Sequence, residues 1–203
     1  MSYEHDVFLS YPHRFEEWVL ECFLPELEQY LSEGLDPPTA NIFVDRTGIR
    51  TGDAWRQRLK KEVTQSRCVV AVWSPQYFHS EWCRVESSIM LYRESELGYR
   101  TIANPGGLVF PVRAFDGEHF PQYAKDMQWL DLKYYVRKAE VFKNSQRYIE
   151  FQDQMIERVP DLAAAIKAAP AWRNEWLTDA WLDKASVFRP DQPAVEFSAP
   201  LLH

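Results

Sequence analysis

The most apolar run in the chain is "CVVAVWS", residues 68–74, which stands between two segments with helical spacing of apolar residues. A short, continuous run rich in β-branched residues is typical of a strand buried on both faces. Strands of that kind occur at the centre of parallel sheets, where helices cover each side. The run therefore predicts a helix-covered parallel sheet as the framework of the molecule.

Four further short runs predict the remaining strands: "DVFLSY" (6–11), "NIFVD" (41–45), "GLVFPVRA" (107–114) and a weaker "QWLDL" (128–132). Apolar residues at helical spacing predict helices in the intervening and following segments, namely 13–34, 53–66, 80–96, 148–170 and 171–186. Two prolines lie inside these patterns. Pro25 is expected to kink or restart the first helix, and Pro160 to interrupt the fourth.

Strands that alternate with helices imply parallel pairing and right-handed crossover connections. The predicted fold class is α/β, a flavodoxin-like three-layer sandwich with a five-stranded parallel sheet. Residues 1–170 are predicted to form this domain. Residues 171–203 are predicted to form a C-terminal helical extension and a proline-punctuated linker or tail, with the tryptophans of the extension packed on the domain or on a neighbouring copy.

Composition argues against several classes of partner, although it leaves room for a local basic patch. The formal net charge of −7 disfavours broad binding to nucleic acids or anionic membranes. No segment reaches the roughly 18 apolar residues of a membrane span, and the N-terminus lacks a signal-peptide pattern. Three scattered cysteines without C-x-x-C spacing suit a reducing compartment. We therefore expect a cytoplasmic protein with no direct contact to nucleic acid or membrane.

The common motifs of cofactor and hydrolase sites are missing from the sequence. It contains neither of the glycine-rich phosphate loops nor a G-x-S-x-G elbow. The five histidines pair with no cysteine or carboxylate at metal spacing, so no metal is predicted. A receiver domain has the same rhythm of strands and helices, but its third strand should end in an aspartate, and here that end is "VWS".

Ligands of such sheets bind beyond the carboxyl ends of the strands. Those ends carry Ser10 and Tyr11, Asp45, Ser74 and the segment 113–116. The helix predicted after "SPQYFH" begins at the same edge of the sheet. That placement makes its polar side chains candidates for the site.

Two interpretations of Glu86 stand side by side. With Ser80 as the helix N-cap, Trp82 and Glu86 project from one face, a turn apart. Glu86 is then either a reactive carboxylate near the strand ends or a solvent-exposed charge. In the second case it flanks an apolar stripe formed by Trp82, Val85, Ile89 and Tyr92. Spacing alone favours the solvent-exposed charge.

Three segments in order resemble the TIR (Toll/interleukin-1 receptor) domain, particularly its bacterial and plant members. "DVFLSY" resembles the first box of the family, and "IFVDRTGIRTGDAWRQRLKKEVTQSR" is similar to the second. "VVAVWSPQYFHSEWCRVE" resembles the third strand and the S-x-W-C-x-x-E pattern after it. The likeness covers roughly residues 4–165. The second box contains the glycine-bearing BB loop (46–53), which lacks the Pro-Gly typical of animal receptor adaptors.

The resemblance implies an activity and assigns residues to it. Enzymatic family members cleave NAD+ between nicotinamide and ribose, and their catalytic glutamate and the tryptophan four residues earlier match Glu86 and Trp82. NAD+ is then the substrate, and no separate cofactor is expected. Tyr11 and Trp82 are predicted to form aromatic walls around it. Ser10, Asp45 and Ser74 are predicted as further substrate-binding residues. For Ser10 and Asp45, which could orient ribose hydroxyl groups or the BB loop, capping of the strand end and turn formation are the structural alternatives.

The expected function is therefore NAD+ glycohydrolase activity, releasing nicotinamide and ADP-ribose or a cyclic isomer. The resemblance implies activation by self-association through the TIR domain and its BB loop, in bacterial immune signalling against phage. A sensor domain or partner beyond residue 203 is part of this expectation. The alternative is a non-catalytic interaction module with Glu86 as a bystander. The joint presence of Ser10, Tyr11, Trp82 and Glu86 favours the enzyme.

Overall fold

The computed structural model describes residues 2–45 and 53–191 of the chain. Its five strands are all parallel and form one sheet in the order β2-β1-β3-β4-β5. They are β1 (His5–Ser10), β2 (Ile42–Val44), β3 (Ser66–Trp73), β4 (Val109–Arg113) and β5 (Leu130–Asp131). This arrangement confirms the predicted fold class.

The central strand is β3, which pairs with β1 on one side and with β4 on the other. Every residue of β3 except Arg67 is buried. Because successive side chains of a strand point to opposite faces, this burial means that helices cover both sides of the sheet. The continuous apolar run in the sequence is thus explained by its central position.

The helices belong to two packed groups. One contains α2 (Leu24–Gly34) against α8 (Gln146–Lys167), and the other contains α5 (Glu81–Glu96) between α3 (Asp53–Thr64) and α9 (Asp179–Val187). The short helices are α1 (Glu16–Trp18), α4 (Pro75–His79), α6 (Gln122–Lys125) and α7 (Ala139–Lys143). Two 3₁₀ turns (His13–Phe15 and Asn174–Leu177) and a π-helical turn (Val19–Phe23) complete the described helical segments. None of the helices in the described ranges is long and apolar enough to cross a bilayer.

The two prolines behave differently. Pro25 is the second residue of α2, but the helical backbone runs on from α1 through the π-helical turn into α2 without a break. The π-helical turn lies directly before the position where Pro25 lacks an N–H, so Pro25 is accompanied by a local change of helix type and not by a separate helix start. The predicted interruption at Pro160 is wrong, because α8 continues through it. Pro160 is exposed, whereas Val159 and Leu162 beside it are buried in the core. Packing on the buried face therefore holds the helix together where one backbone hydrogen bond is lost.

The C-terminal extension packs on α5 through its tryptophans. The Trp176 side chain is fully buried, and the Arg93 guanidinium lies 4.0 Å from its ring centroid. Arg93 also donates to the carbonyl oxygens of Ser66 and Thr64 at 2.9 and 2.5 Å. Burial lowers the pKa of Arg93 to about 10, so the group remains a cation at neutral pH. The extension is thereby fixed to the domain by a buried cation and its aromatic partner.

The boundary at residue 170 stays a prediction. The extension forms the turn Asn174–Leu177 and α9, in place of the single helix predicted over 171–186. Thr178 separates the two, and its Oγ1 accepts a hydrogen bond from the Trp181 N–H at 3.4 Å. Such a side-chain cap begins a new helix rather than continuing the old one. Residues 192–203 of the predicted tail lie outside the described residues.

We expect Trp176→Ala to lower the free energy of unfolding by about 3–5 kcal/mol, since truncating a buried tryptophan leaves a cavity. It also removes the ring beneath the Arg93 cation. Urea unfolding followed by circular dichroism measures the change. The exposed Glu175→Ala is the control and should change stability by about 1 kcal/mol or less. Equal effects of the two variants would show that the extension adds little to the fold.

Candidate active site

Serine caps place the polar residues at the carboxyl edge of the sheet. Ser74 follows β3, and its buried Oγ accepts a hydrogen bond from the Tyr77 N–H at 3.3 Å, which begins α4. Ser80 caps α5 in the same way, accepting from the Cys83 N–H at 3.4 Å. These two caps turn the chain sharply twice and direct the first turns of α5 toward the end of β1.

The Glu86 carboxyl group is buried at this edge. Only 8% of the residue is exposed, and Ser10 Oγ at the end of β1 donates a hydrogen bond of 2.5 Å to Oε2. The structure therefore contradicts the interpretation of Glu86 as a solvent-exposed charge beside an apolar stripe. Of that stripe, Ile89 is fully buried, while Trp82, Val85 and Tyr92 are half-buried.

A chain of hydroxyl groups extends from Glu86 into the core. Ser10 Oγ lies 2.8 Å from the Tyr77 hydroxyl oxygen, which lies 2.6 Å from Ser87 Oγ. A hydroxyl group has one proton to donate. When Ser10 donates to the carboxylate, it accepts from Tyr77, and Tyr77 in turn accepts from Ser87. When Glu86 is ionised, the network thus orients each of these protons toward its carboxylate.

The sequence pattern identifies neither Tyr77 nor Ser87 as a site residue. Tyr77 has an apolar ring and lies in the segment "SPQYFH" before the predicted helix, and Ser87 follows Glu86 without any motif. A buried tyrosine generally needs a partner for its hydroxyl group. That requirement becomes visible only once α4 is folded against α5, so no sequence signal identifies the pair.

Burial changes the acidity of the site. It raises the pKa of Glu86 to about 8, while the Ser10 hydrogen bond lowers it and the charge of Asp45 raises it. The free protein therefore holds Glu86 mostly as the neutral acid at pH 7. Burial also raises the pKa of the Cys83 thiol, with Glu86 adding to the effect. Cys83 is thus a protonated thiol and a poor nucleophile.

The other predicted residues occupy the same edge. Asp45 follows β2 and is close enough for its charge to act on Glu86. Tyr11 follows β1 and is half-buried. Trp82 is half-buried one turn before Glu86, and the guanidinium of Arg56 lies 4.8 Å from its ring centroid. Residues 46–52 of the predicted BB loop lie outside the described residues.

Within the described part of the chain, one group of three side chains has its potential metal-ligating atoms within 4.8 Å of one another. Glu4 and His5 lie at the start of β1 and Glu62 lies near the end of α3, at the edge of the sheet opposite Glu86. His5 Nε2 already contacts Glu62 Oε2 at 2.9 Å. The group therefore has no connection to the candidate active site.

Residues 7–144, more than half of the chain, match the family described as the TIR domain. The chain is 19% identical to the TIR domain of the Toll-related receptor TRR-2 from Hydra magnipapillata; the TM-score is 0.47, over 74% of this chain and 98% of that one. It is also 19% identical to the TIR domains of the activated Roq1 resistosome, which recognises the pathogen effector XopQ. There the TM-score is 0.36, over 90% of this chain and 95% of that one. No curated protein matches the sequence.

We expect Glu86→Gln to stabilise the fold at alkaline pH. The folded pKa of Glu86 lies above its ordinary value of 4.5, so the unfolded chain ionises first as the pH rises. Wild-type stability then falls between about pH 4.5 and 8, by an amount on the order of a few kcal/mol. Glutamine does not ionise and avoids this loss.

Thermal unfolding of both proteins at pH 4 and pH 8 measures the effect. The gain from Glu86→Gln should be present at pH 8 and absent at pH 4. Glu157→Gln, at an exposed position of α8, is the matched control and should show no such dependence. A gain of equal size at both pH values would mean that Glu86 ionises normally in the folded protein.

Proposed function

The chain belongs to the TIR domain family, and from that premise we propose that it is an NAD+ glycohydrolase with Glu86 as its catalytic carboxylate. The observation that carries the proposal is the buried Glu86 carboxyl group, hydrogen-bonded to Ser10 at the carboxyl ends of the strands. A titratable group with a strongly shifted pKa at such an edge is a candidate for chemistry.

The reaction suits a single carboxylate. The bond between the ribose C1′ and the pyridinium nitrogen breaks, and its electron pair stays on nicotinamide, which leaves as a neutral molecule. No acid is needed to protonate this leaving group, unlike in ordinary glycosidases. Positive charge develops on the ribose, and water then adds and releases a proton. An anionic Glu86 stabilises that charge in a site from which water is largely excluded.

The high pKa of Glu86 supports this role rather than opposing it. The nicotinamide ring of NAD+ carries a positive charge, and a nearby cation lowers the pKa of a carboxyl group. Substrate binding thus promotes ionisation of Glu86. The carboxylate that forms is buried, so its attraction to the developing ribose cation is strong.

The surrounding residues are assigned by what they contact. Ser10 acts as a positioning residue, since its hydroxyl group holds Glu86. Tyr11 and Trp82 are proposed as flat walls for the nicotinamide and ribose rings, and Asp45 as a partner for ribose hydroxyl groups. Ser74 caps α4 and thereby holds Tyr77. A direct contact between Ser74 and substrate stays a prediction.

The setting of the activity is also part of the proposal. We place it in the cytoplasm, which agrees with three buried thiols that form no disulfide. We further propose activation by self-association through the BB loop and a role in immune signalling. A sensor domain or partner protein is proposed as the source of the trigger.

We expect Glu86→Gln to reduce NAD+ cleavage by about 10²–10³-fold or more, because an electrostatic group of this kind contributes that much to rate. Nicotinamide release and product chromatography measure it over a range of protein concentrations, with Glu157→Gln as the control. Unchanged turnover in Glu86→Gln would overturn the assignment. If the wild type cleaves no NAD+ even when it is forced to assemble, the non-catalytic interaction module is favoured.

We expect kcat/KM for NAD+ to rise with pH, about tenfold per unit, and to level off above pH about 8. Ser10→Ala removes a hydrogen bond that favours the carboxylate, so its inflection should move to higher pH. Asp45→Asn removes a negative charge that disfavours the carboxylate, so its inflection should move to lower pH. Shifts in the same direction for both variants would contradict Glu86 as the titrating group.

A further inference from the structure

A cleft of ≈ 530 Å³ lies beside Trp82 on the outer side of α5. Four cationic side chains from three parts of the chain line it. They are Arg56 and Lys60 of α3, Arg84 of α5 and Arg189 after α9. We call this set with Trp82 the cationic cleft. Its lining includes one carboxylate, that of the exposed Glu81.

Among the described residues, none of the four cations of the cationic cleft lies within salt-bridge distance of a carboxylate. Arginines elsewhere do form such pairs, as in Arg100–Glu94 and Arg113–Asp131. In a chain of net charge −7, this leaves a local concentration of positive charge around one cavity.

Two of the guanidinium groups are held in place. Arg189 Nη1 donates to Ser88 Oγ at 2.9 Å and to its neighbour's carbonyl oxygen, that of Phe188, at 2.7 Å. Phe188 in turn packs on the ring of Tyr92, with centroids 5.4 Å apart. Arg56 lies over the Trp82 ring. A guanidinium group has five N–H donors, so Arg189 keeps donors available for a ligand.

The cationic cleft is separate from the carboxyl site. At 100° per residue, Glu81, Arg84 and Ser88 share one face of α5, whereas Glu86 projects from the opposite side into the protein. Trp82 stands at the boundary between the two. Ser186, Val187 and Arg189 also line the cleft. They follow residues 7–144 in the chain, so the part that matches the family does not contain the complete cleft.

We propose that the cationic cleft binds the diphosphate group of a nucleotide. Planar guanidinium groups form paired hydrogen bonds with phosphate oxygens, and three of them converge here with a lysine. The volume fits a small phosphorylated molecule, and Trp82 offers a flat surface beside it. The diphosphate belongs either to the substrate NAD+, an assignment that rests on the proposed function, or to a separate nucleotide.

Isothermal titration with inorganic pyrophosphate tests the cleft without depending on catalysis. We expect Arg189→Gln and Arg84→Gln each to weaken binding about tenfold, since a charge-assisted hydrogen bond contributes roughly that factor. Arg137→Gln is the matched control, because Arg137 is exposed and, among the described residues, donates to its neighbour's carbonyl oxygen alone. Binding in the wild type should weaken as salt is added.

Absence of pyrophosphate binding to the wild type, or equal binding by all four proteins, would overturn the proposal. Thermal unfolding verifies that each variant is folded. If Arg189→Gln fails to fold, Arg84→Gln decides the matter, because its side chain lies on the surface of α5. Pyrophosphate binding without NAD+ cleavage, even when the protein is forced to assemble, would overturn the proposed function and leave the cleft in place.

Competition between pyrophosphate and NAD+ for binding to the Glu86→Gln variant identifies the source of the diphosphate. Displacement of NAD+ by pyrophosphate, together with weaker NAD+ binding in a Glu86→Gln/Arg189→Gln double variant, assigns the cleft to the substrate. NAD+ binding that neither pyrophosphate nor Arg189→Gln alters assigns it to a separate nucleotide. Both outcomes support a diphosphate site.

Discussion

The hydrogen bond between Ser10 and Glu86 joins the end of β1 to the second turn of α5, and the candidate site depends on it. Three features must coincide for it to form. Strand β1 must end at Ser10, the cap at Ser80 must set the start of α5, and the hydroxyl groups of Tyr77 and Ser87 must orient the Ser10 proton. Each feature comes from a different part of the chain, so the site exists only in the folded protein.

Burial of Glu86 opposes stability and supports chemistry at the same time. Desolvation raises the pKa of the carboxyl group, which disfavours its ionised form in the folded chain. The same desolvation strengthens the attraction of the carboxylate to a cationic substrate. Stability lost at such a site must come from elsewhere in the fold. The buried contacts of Arg93 with Trp176 and the carbonyl groups of Ser66 and Thr64 are one source, on the same helix as Glu86.

Helix α5 connects the features of functional interest. Its inner face presents Glu86 to the carboxyl edge of the sheet, and its outer face carries part of the cationic cleft. The C-terminal extension packs on the same helix, where Trp181 Nε1 donates to Glu96 at 2.7 Å. The extension therefore supports α5 and contributes Arg189 to the cleft. A change in the position of the extension would affect both faces of one helix.

The sequence by itself determined the sheet, its central strand and the group of residues at its carboxyl edge, because strand burial and helix capping leave local patterns. It indicated Glu86 only through a family resemblance, since spacing alone favoured a solvent-exposed charge. It also predicted a helix break at Pro160 that packing prevents. The sequence indicated neither Tyr77 nor Ser87. It also did not indicate that Arg56, Arg84 and Arg189 line one cleft. Those were decided by the tertiary structure, because burial, pKa and charge clustering depend on distances between residues that are remote in the chain.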